Sequence, residues 1–192
     1  MHELILFASG AGSNAKAIIE YFKNKPVARV SLIVCNKEGA GVIGIAAAEN
    51  IPVLMIDKAF IKEGKLLPEL MCYHPSLIVL AGFLWKIPEN VVAHFQDKII
   101  NIHPALLPAY GGKNMYGSRV HEAVIAAGEK ESGITIHYVN EVYDEGRIIV
   151  QARCPVAATD DAASLAQNIH RLEHYFFPRT IEFLLHAIGS KQ

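Results

Sequence analysis

The sequence predicts an α/β fold: a single domain over residues 1–192, built on one open, mostly parallel, twisted sheet with helices on both faces and late strands that are partly antiparallel. Three observations predict it. Short β-rich apolar runs alternate with helix-compatible segments through the first half of the chain, the pattern of βαβ units. Hydrophobic residues make up 52% of the chain and charged residues 19%, as expected where strands are covered on both faces. A glycine-rich turn follows the first apolar run, at the place where open α/β sheets take their ligands.

Taken in order, strands are expected over 4–8, 27–35, 53–56, 77–81 and 99–102, each a short run rich in Val, Ile and Leu. Helices are expected between them over 14–23, 42–49, 58–73 and 88–94, the last with Pro88 at its first turn, where a missing N–H costs nothing. From His103 to about Ser118 the rhythm changes to a loop carrying Pro104, Pro108, Gly111, Gly112 and Gly117, long enough to mark a functional segment. A short helix over 120–127 follows, then strands over 134–140 and 147–155 joined by the turn Tyr143-Asp144-Glu145-Gly146. A long helix over 162–187 closes the chain, with Pro178 expected to kink or split it.

The charge balance of 18 Lys+Arg against 19 Asp+Glu gives a net −1, which argues against a general nucleic-acid surface and leaves room for a local anion pocket. The most apolar long stretch, 41–56, is interrupted by Glu49, Asn50 and Pro52, short of a membrane span. No basic leader precedes the first strand, and Cys35, Cys72 and Cys154 are odd in number and far apart, so reduced core thiols in a cytoplasmic protein are expected.

Ser9-Gly10-Ala11-Gly12-Ser13-Asn14 lies between the first strand and the first helix, where free backbone N–H groups and the helix dipole hold an anion, most simply a phosphate. No Gly-Lys-Ser/Thr follows, so this is not a nucleoside-triphosphate loop. The same residues fit a dinucleotide fingerprint, but Asn36-Lys37 stands where that fingerprint wants a ribose-binding acid, which disfavours NAD and leaves an NADP-dependent reductase as an alternative. Asn101 and His103 alternate onto one side of the fifth strand's carboxyl end. An amide donor beside an imidazole can polarise a carbonyl, hold its oxyanion and manage a proton, as acyl or formyl transfer to an amine requires. Asp144 is the candidate carboxylate to favour the charged imidazole. No nucleophile elbow or H-E-x-x-H pattern occurs, and the His170/His174 pair alone is an incomplete metal set, so no metal is expected.

These pieces together, with Leu80-Ala81-Gly82-Phe83 and Asn101-Ile102-His103-Pro104-Ala105-Leu106-Leu107-Pro108, resemble the folate-dependent formyltransferases, and through the Ser-Gly-x-Gly-Ser-Asn loop the phosphoribosylglycinamide formyltransferases, over nearly the whole chain. The resemblance implies the formyltransferase version of the Rossmann-like fold and formyl transfer from 10-formyltetrahydrofolate, as co-substrate, to phosphoribosylglycinamide in purine biosynthesis. It implies Asn101, His103 and Asp144 as the catalytic set, with Asp144 raising the pKa of His103. Gly12, Ser13, Asn14, His170 and Glu173 would bind the phosphoribosyl substrate; Leu84, Trp85, Lys86, Ile87, Asn101 and Asp144 would bind the folate. Trp85-Lys86 departs from the Arg-Ile common in relatives, and loop 110–117 is longer than theirs and is expected to form a mobile lid. Partners are then small molecules, without nucleic acid or membrane, on a monomer or homodimer. A formyltetrahydrofolate hydrolase, a sugar-nucleotide or methionyl-tRNA formyltransferase, and a phosphoribosyl-ligand sensor without turnover are the other readings.

Overall fold

A computed structural model describes residues 1–189 of the chain. Seven strands form one sheet in the order β3-β2-β1-β4-β5-β6-β7. They are β1 (His2–Ala8), β2 (Ala28–Cys35), β3 (Val53–Met55), β4 (Leu77–Leu80), β5 (Ile99–His103), β6 (Glu131–Tyr138) and β7 (Ile148–Pro155). The first five pair in parallel, and β6 and β7 extend the same sheet, β6 antiparallel to β5 and β7 antiparallel to β6. Alternation along β1 decides the layers: Leu4, Leu6 and Ala8 enter one core, Ile5 and Phe7 the other. The first core is covered by α1 (Ser13–Phe22), α2 (Gly41–Ala48), α6 (Ser118–Ala126) and α7 (Ala162–Gly189), the second by α4 (Leu66–Cys72) and α5 (Glu89–His94). Burial on both faces explains why the run from Leu4 to Ala8 in β1 and all of β4 are apolar without interruption.

Three expectations are corrected. The helix expected over 58–73 is two, α3 (Lys58–Lys62) and α4, because Gly64 adopts φ +73° and its N–H and that of Lys65 turn back onto the Ile61 and Phe60 carbonyls. Pro178 does not split the last helix: α7 runs through it, with Pro178 buried in a stripe that includes Leu165, Ile169, Phe177, Ile181 and Leu185, and this packing on both sides holds the turn that lacks one N–H. Of the cysteines, Cys35 is buried, Cys154 half-buried and Cys72 exposed, so Cys72 is not a core residue. Among the described residues, no helix is long and apolar enough to cross a membrane.

Candidate active site

A cleft of about 680 Å³ opens across the carboxyl ends of β1, β4 and β5, bounded on its far side by the 139–144 turn and α7. It brings together every residue singled out in the sequence as catalytic or substrate-binding.

One end presents the N-terminus of α1. Gly12 caps α1 at φ +81°, and a Cβ there would lie 2.8 Å from the Val42 Cβ and 2.9 Å from its Cα, so α2 packs directly on the loop and only glycine fits. The Lys16 N–H is the first of α1 to find a helical partner, the Gly12 carbonyl, which leaves the N–H groups ahead of it for a ligand. Asn14 faces α7: its Nδ2 donates to Glu173 Oε2 at 3.0 Å, and the same oxygen takes His170 Nδ1 at 2.8 Å. Glu173 is buried, and its bond to His170 lifts that imidazole's pKa. Lys37 lines the same cleft. His170 is thus drawn to a carboxylate, and among the described residues no group of three or more metal-ligating side chains assembles.

The other wall is apolar and partly open. Phe83 is buried edge-on to Phe7, with ring centroids 5.1 Å apart, and Trp85 packs edge-on to Phe83 in turn. Ile87 is buried and Leu84 is 49% exposed, both on the wall of the cleft. Lys86 lines this wall and reaches Glu89 at 3.5 Å.

Between the two ends lies the polar centre. The β5–β6 register sets Asn101 opposite His137 and His103 opposite Thr135. Thr135 Oγ1 accepts from the Leu107 N–H and donates to the Ala105 carbonyl, while Gln151 Nε2 donates to both Thr135 Oγ1 and the Leu107 carbonyl. This network fixes the chain that leaves His103. The His103 ring is 4% exposed; its Nε2 donates to the Tyr110 carbonyl at 2.7 Å, and its Nδ1 lies 3.6 Å from Asp144 Oδ2. That Asp144 oxygen also accepts the Gly112 N–H at 2.9 Å, and Asp144 Oδ1 lies 3.6 Å from His137 Nε2.

The electrostatics correct one expectation. Burial pushes the His103 pKa below its ordinary value, outweighing the upward pull of Asp144 and the Tyr110 carbonyl, so Asp144 does not raise the ring above 6.5 in the free protein. Burial also works to raise the Asp144 carboxyl, but His137, His103 and the Gly112 N–H together hold it below its ordinary value. Both groups therefore bind fewer protons folded than unfolded. Their contribution to stability is complete above the unfolded values and is lost as pH falls, first through the imidazole range below 6.5 and then through the carboxylate range below 3.8. The melting temperature is expected to fall on acidification below 6.5, with a shallower fall in the His103→Gln protein. Parallel curves for the two proteins would contradict the assignment.

Three features of the site escaped the sequence. His137 and the Tyr110 carbonyl enter through strand register and loop path, and no local pattern marks them. His121, buried on α6 and lining the cleft, has its pKa lowered chiefly by burial, and its Nδ1 has no hydrogen-bond partner. Its only sequence signal is being one of nine histidines.

A family model described as "Formyl transferase" matches residues 2–181. The "Phosphoribosylglycinamide formyltransferase" of Bacillus subtilis is 37% identical over 191 residues, covering 96% of this chain and 95% of its own. The chloroplastic protein of that name from Vigna unguiculata is 40% identical over 188 residues, 95% of this chain, and the chain spans only 60% of that relative's length. A crystal structure of phosphoribosylglycinamide formyltransferase from Anaplasma phagocytophilum superimposes with a TM-score of 0.88 at 33% identity, covering 96% of this chain and 87% of the other. With its fold and nearly its whole length matched, this chain belongs to the formyl transferase family, among the phosphoribosylglycinamide formyltransferases.

Proposed function

We propose that this protein transfers the formyl group of 10-formyltetrahydrofolate to the glycinamide amine of N1-(5-phosphoribosyl)glycinamide, as a purine-biosynthetic enzyme of the cytoplasm that acts as one domain over residues 1–192 on small molecules, without metal, nucleic acid or membrane. The observation that carries the reading is a single cleft with an anion-ready helix terminus at one end, an apolar wall at the other, and Asn101, His103 and Asp144 between them. The phosphate docks on Gly12, Ser13 and Asn14, and the ribose on Glu173, with His170 adding positive charge. The folate ring lies against Leu84, Trp85, Lys86 and Ile87 and reaches Asn101 and Asp144. The cleft's volume and its apolar half fit a flat heteroaromatic ligand.

The amine nitrogen attacks the formyl carbon, and the carbonyl electron pair moves to oxygen. Asn101 donates to that oxyanion, and His103, once protonated, lies beside it. Burial keeps the imidazole largely neutral in the free protein; anionic substrates and the oxyanion favour its charged form, and Asp144 pulls the same way. The amine then loses a proton, N10 gains one, the C–N10 bond breaks, and tetrahydrofolate leaves. Loop 110–117, tied down at Tyr110 and Gly112 by His103 and Asp144, closes over the reacting groups.

Trp85 is the only tryptophan in the chain, so its fluorescence reports the folate wall directly. Titration with a non-reactive folate analogue is expected to quench it saturably, and NADPH is expected to leave it unchanged. Quenching by NADPH with no response to folate would favour the reductase.

A further inference from the structure

We infer that His137 is a positioning residue that fixes which end of the Asn101 carboxamide faces the cleft. The inference rests on the formyl-transfer reading for its kinetic consequence, but its geometry stands apart from it. His137 is 2% exposed on β6, directly opposite Asn101 on β5. Its Nδ1 lies 2.8 Å from the Tyr138 carbonyl, which can only accept, so Nδ1 carries the proton. In the neutral ring Nε2 is then a bare acceptor. Its nearest partner is Asn101 Nδ2 at 3.1 Å; Asp144 Oδ1, at 3.6 Å, faces a donor at Nε2 only when the ring is doubly protonated, the state in which His137 helps hold the Asp144 carboxyl down.

Only the NH₂ end of the carboxamide can meet a bare Nε2. One Nδ2 hydrogen is therefore held by His137, and the second remains for an oxyanion. A ring carrying its proton on Nε2 would reward the opposite arrangement, turning Oδ1 to the histidine. The Tyr138 carbonyl, the His137 tautomer and the Asn101 orientation thus form one chain of dependence, which selects the donor orientation before substrate arrives. Pre-organisation of this kind makes an oxyanion donor effective, because no reorientation is needed during reaction.

Two substitutions separate this role from bulk packing. Asparagine places its amide nitrogen near the former Nδ1 and offers nothing at Nε2; glutamine reaches the Nε2 position with an oxygen that accepts from Asn101. His137→Asn is expected to lower kcat by about 10–100-fold with little change in either KM, and His137→Gln to recover most of that loss. In an Asn101→Ala background, His137→Asn should cost nothing further. Equal kcat losses in the two His137 variants, or full additivity with Asn101→Ala, would overturn the inference. The tautomer is tested without substrate by ¹⁵N NMR of the wild-type imidazole, which should show a protonated Nδ1 and an unprotonated Nε2. A proton on Nε2 would overturn the inference even if formyl transfer is observed. The expected tautomer in a protein that transfers no formyl group would instead reject the functional reading and leave the positioning geometry standing.

Discussion

Replacing Asn101 or His103 by alanine is expected to leave a folded protein whose kcat falls by about 10²–10³-fold, the usual loss when one oxyanion donor is removed. Asn101 is half-buried at the cleft, with its amide bonded to a single side chain, His137, so its loss disturbs little of the sheet. His103 is more deeply set and leaves the Tyr110 carbonyl without its donor, so this variant is expected to be less stable as well as slower. The two effects separate by measurement: circular dichroism and melting temperature report the fold, and kcat at saturating substrates reports the chemistry. Native-like spectra with near-normal turnover in both variants would remove these residues from the mechanism.

The second large effect is expected at Gly12. Alanine there must adopt φ +81°, at about 1–2 kcal/mol for a left-handed non-glycine residue, and its methyl meets Val42 backbone and side chain at under 3.0 Å. The loop must move away from α2, and the N–H groups it presents at the start of α1 move with it. KM for the phosphorylated amine is expected to rise by about 10–100-fold, the equivalent of one charge-assisted hydrogen bond, while KM for the folate stays constant. Gly44 provides the contrast, since it lies within α2 with open space around its position. Gly44→Ala is expected to stabilise the helix by roughly 0.5–1 kcal/mol without affecting either KM. A Gly12→Ala protein with an unchanged KM for the phosphorylated amine would contradict the placement of the phosphate.

The parts of this site that are legible in the sequence are those whose chemistry is local. The glycine turn between β1 and α1 is visible as a run of Ser and Gly, and the structure brings it into the cleft; Asn101 with His103 share a face by strand alternation alone. The seven strands are legible for the same reason, as short apolar runs, with boundaries that shift by up to three residues. What is not legible depends on partners distant in sequence. His137 reaches Asn101 only through the antiparallel register of β5 and β6, and Tyr110 reaches His103 only through the path of the loop. The sign of the His103 shift is illegible too: a nearby carboxylate can be anticipated from its turn, but the desolvation that outweighs it follows from burial beneath the loop. The break between α3 and α4 is a milder case, since Gly64 is visible in the sequence while its positive φ is not.

The central claim, acceptor-dependent formyl transfer, is tested most directly by incubating the protein with 10-formyltetrahydrofolate in the presence and absence of phosphoribosylglycinamide and following tetrahydrofolate release. Release that requires the amine and yields formylglycinamide ribonucleotide one-for-one is the predicted result. Release at the same rate without the amine would identify a hydrolase. No release by a protein that melts cooperatively would contradict the claim outright.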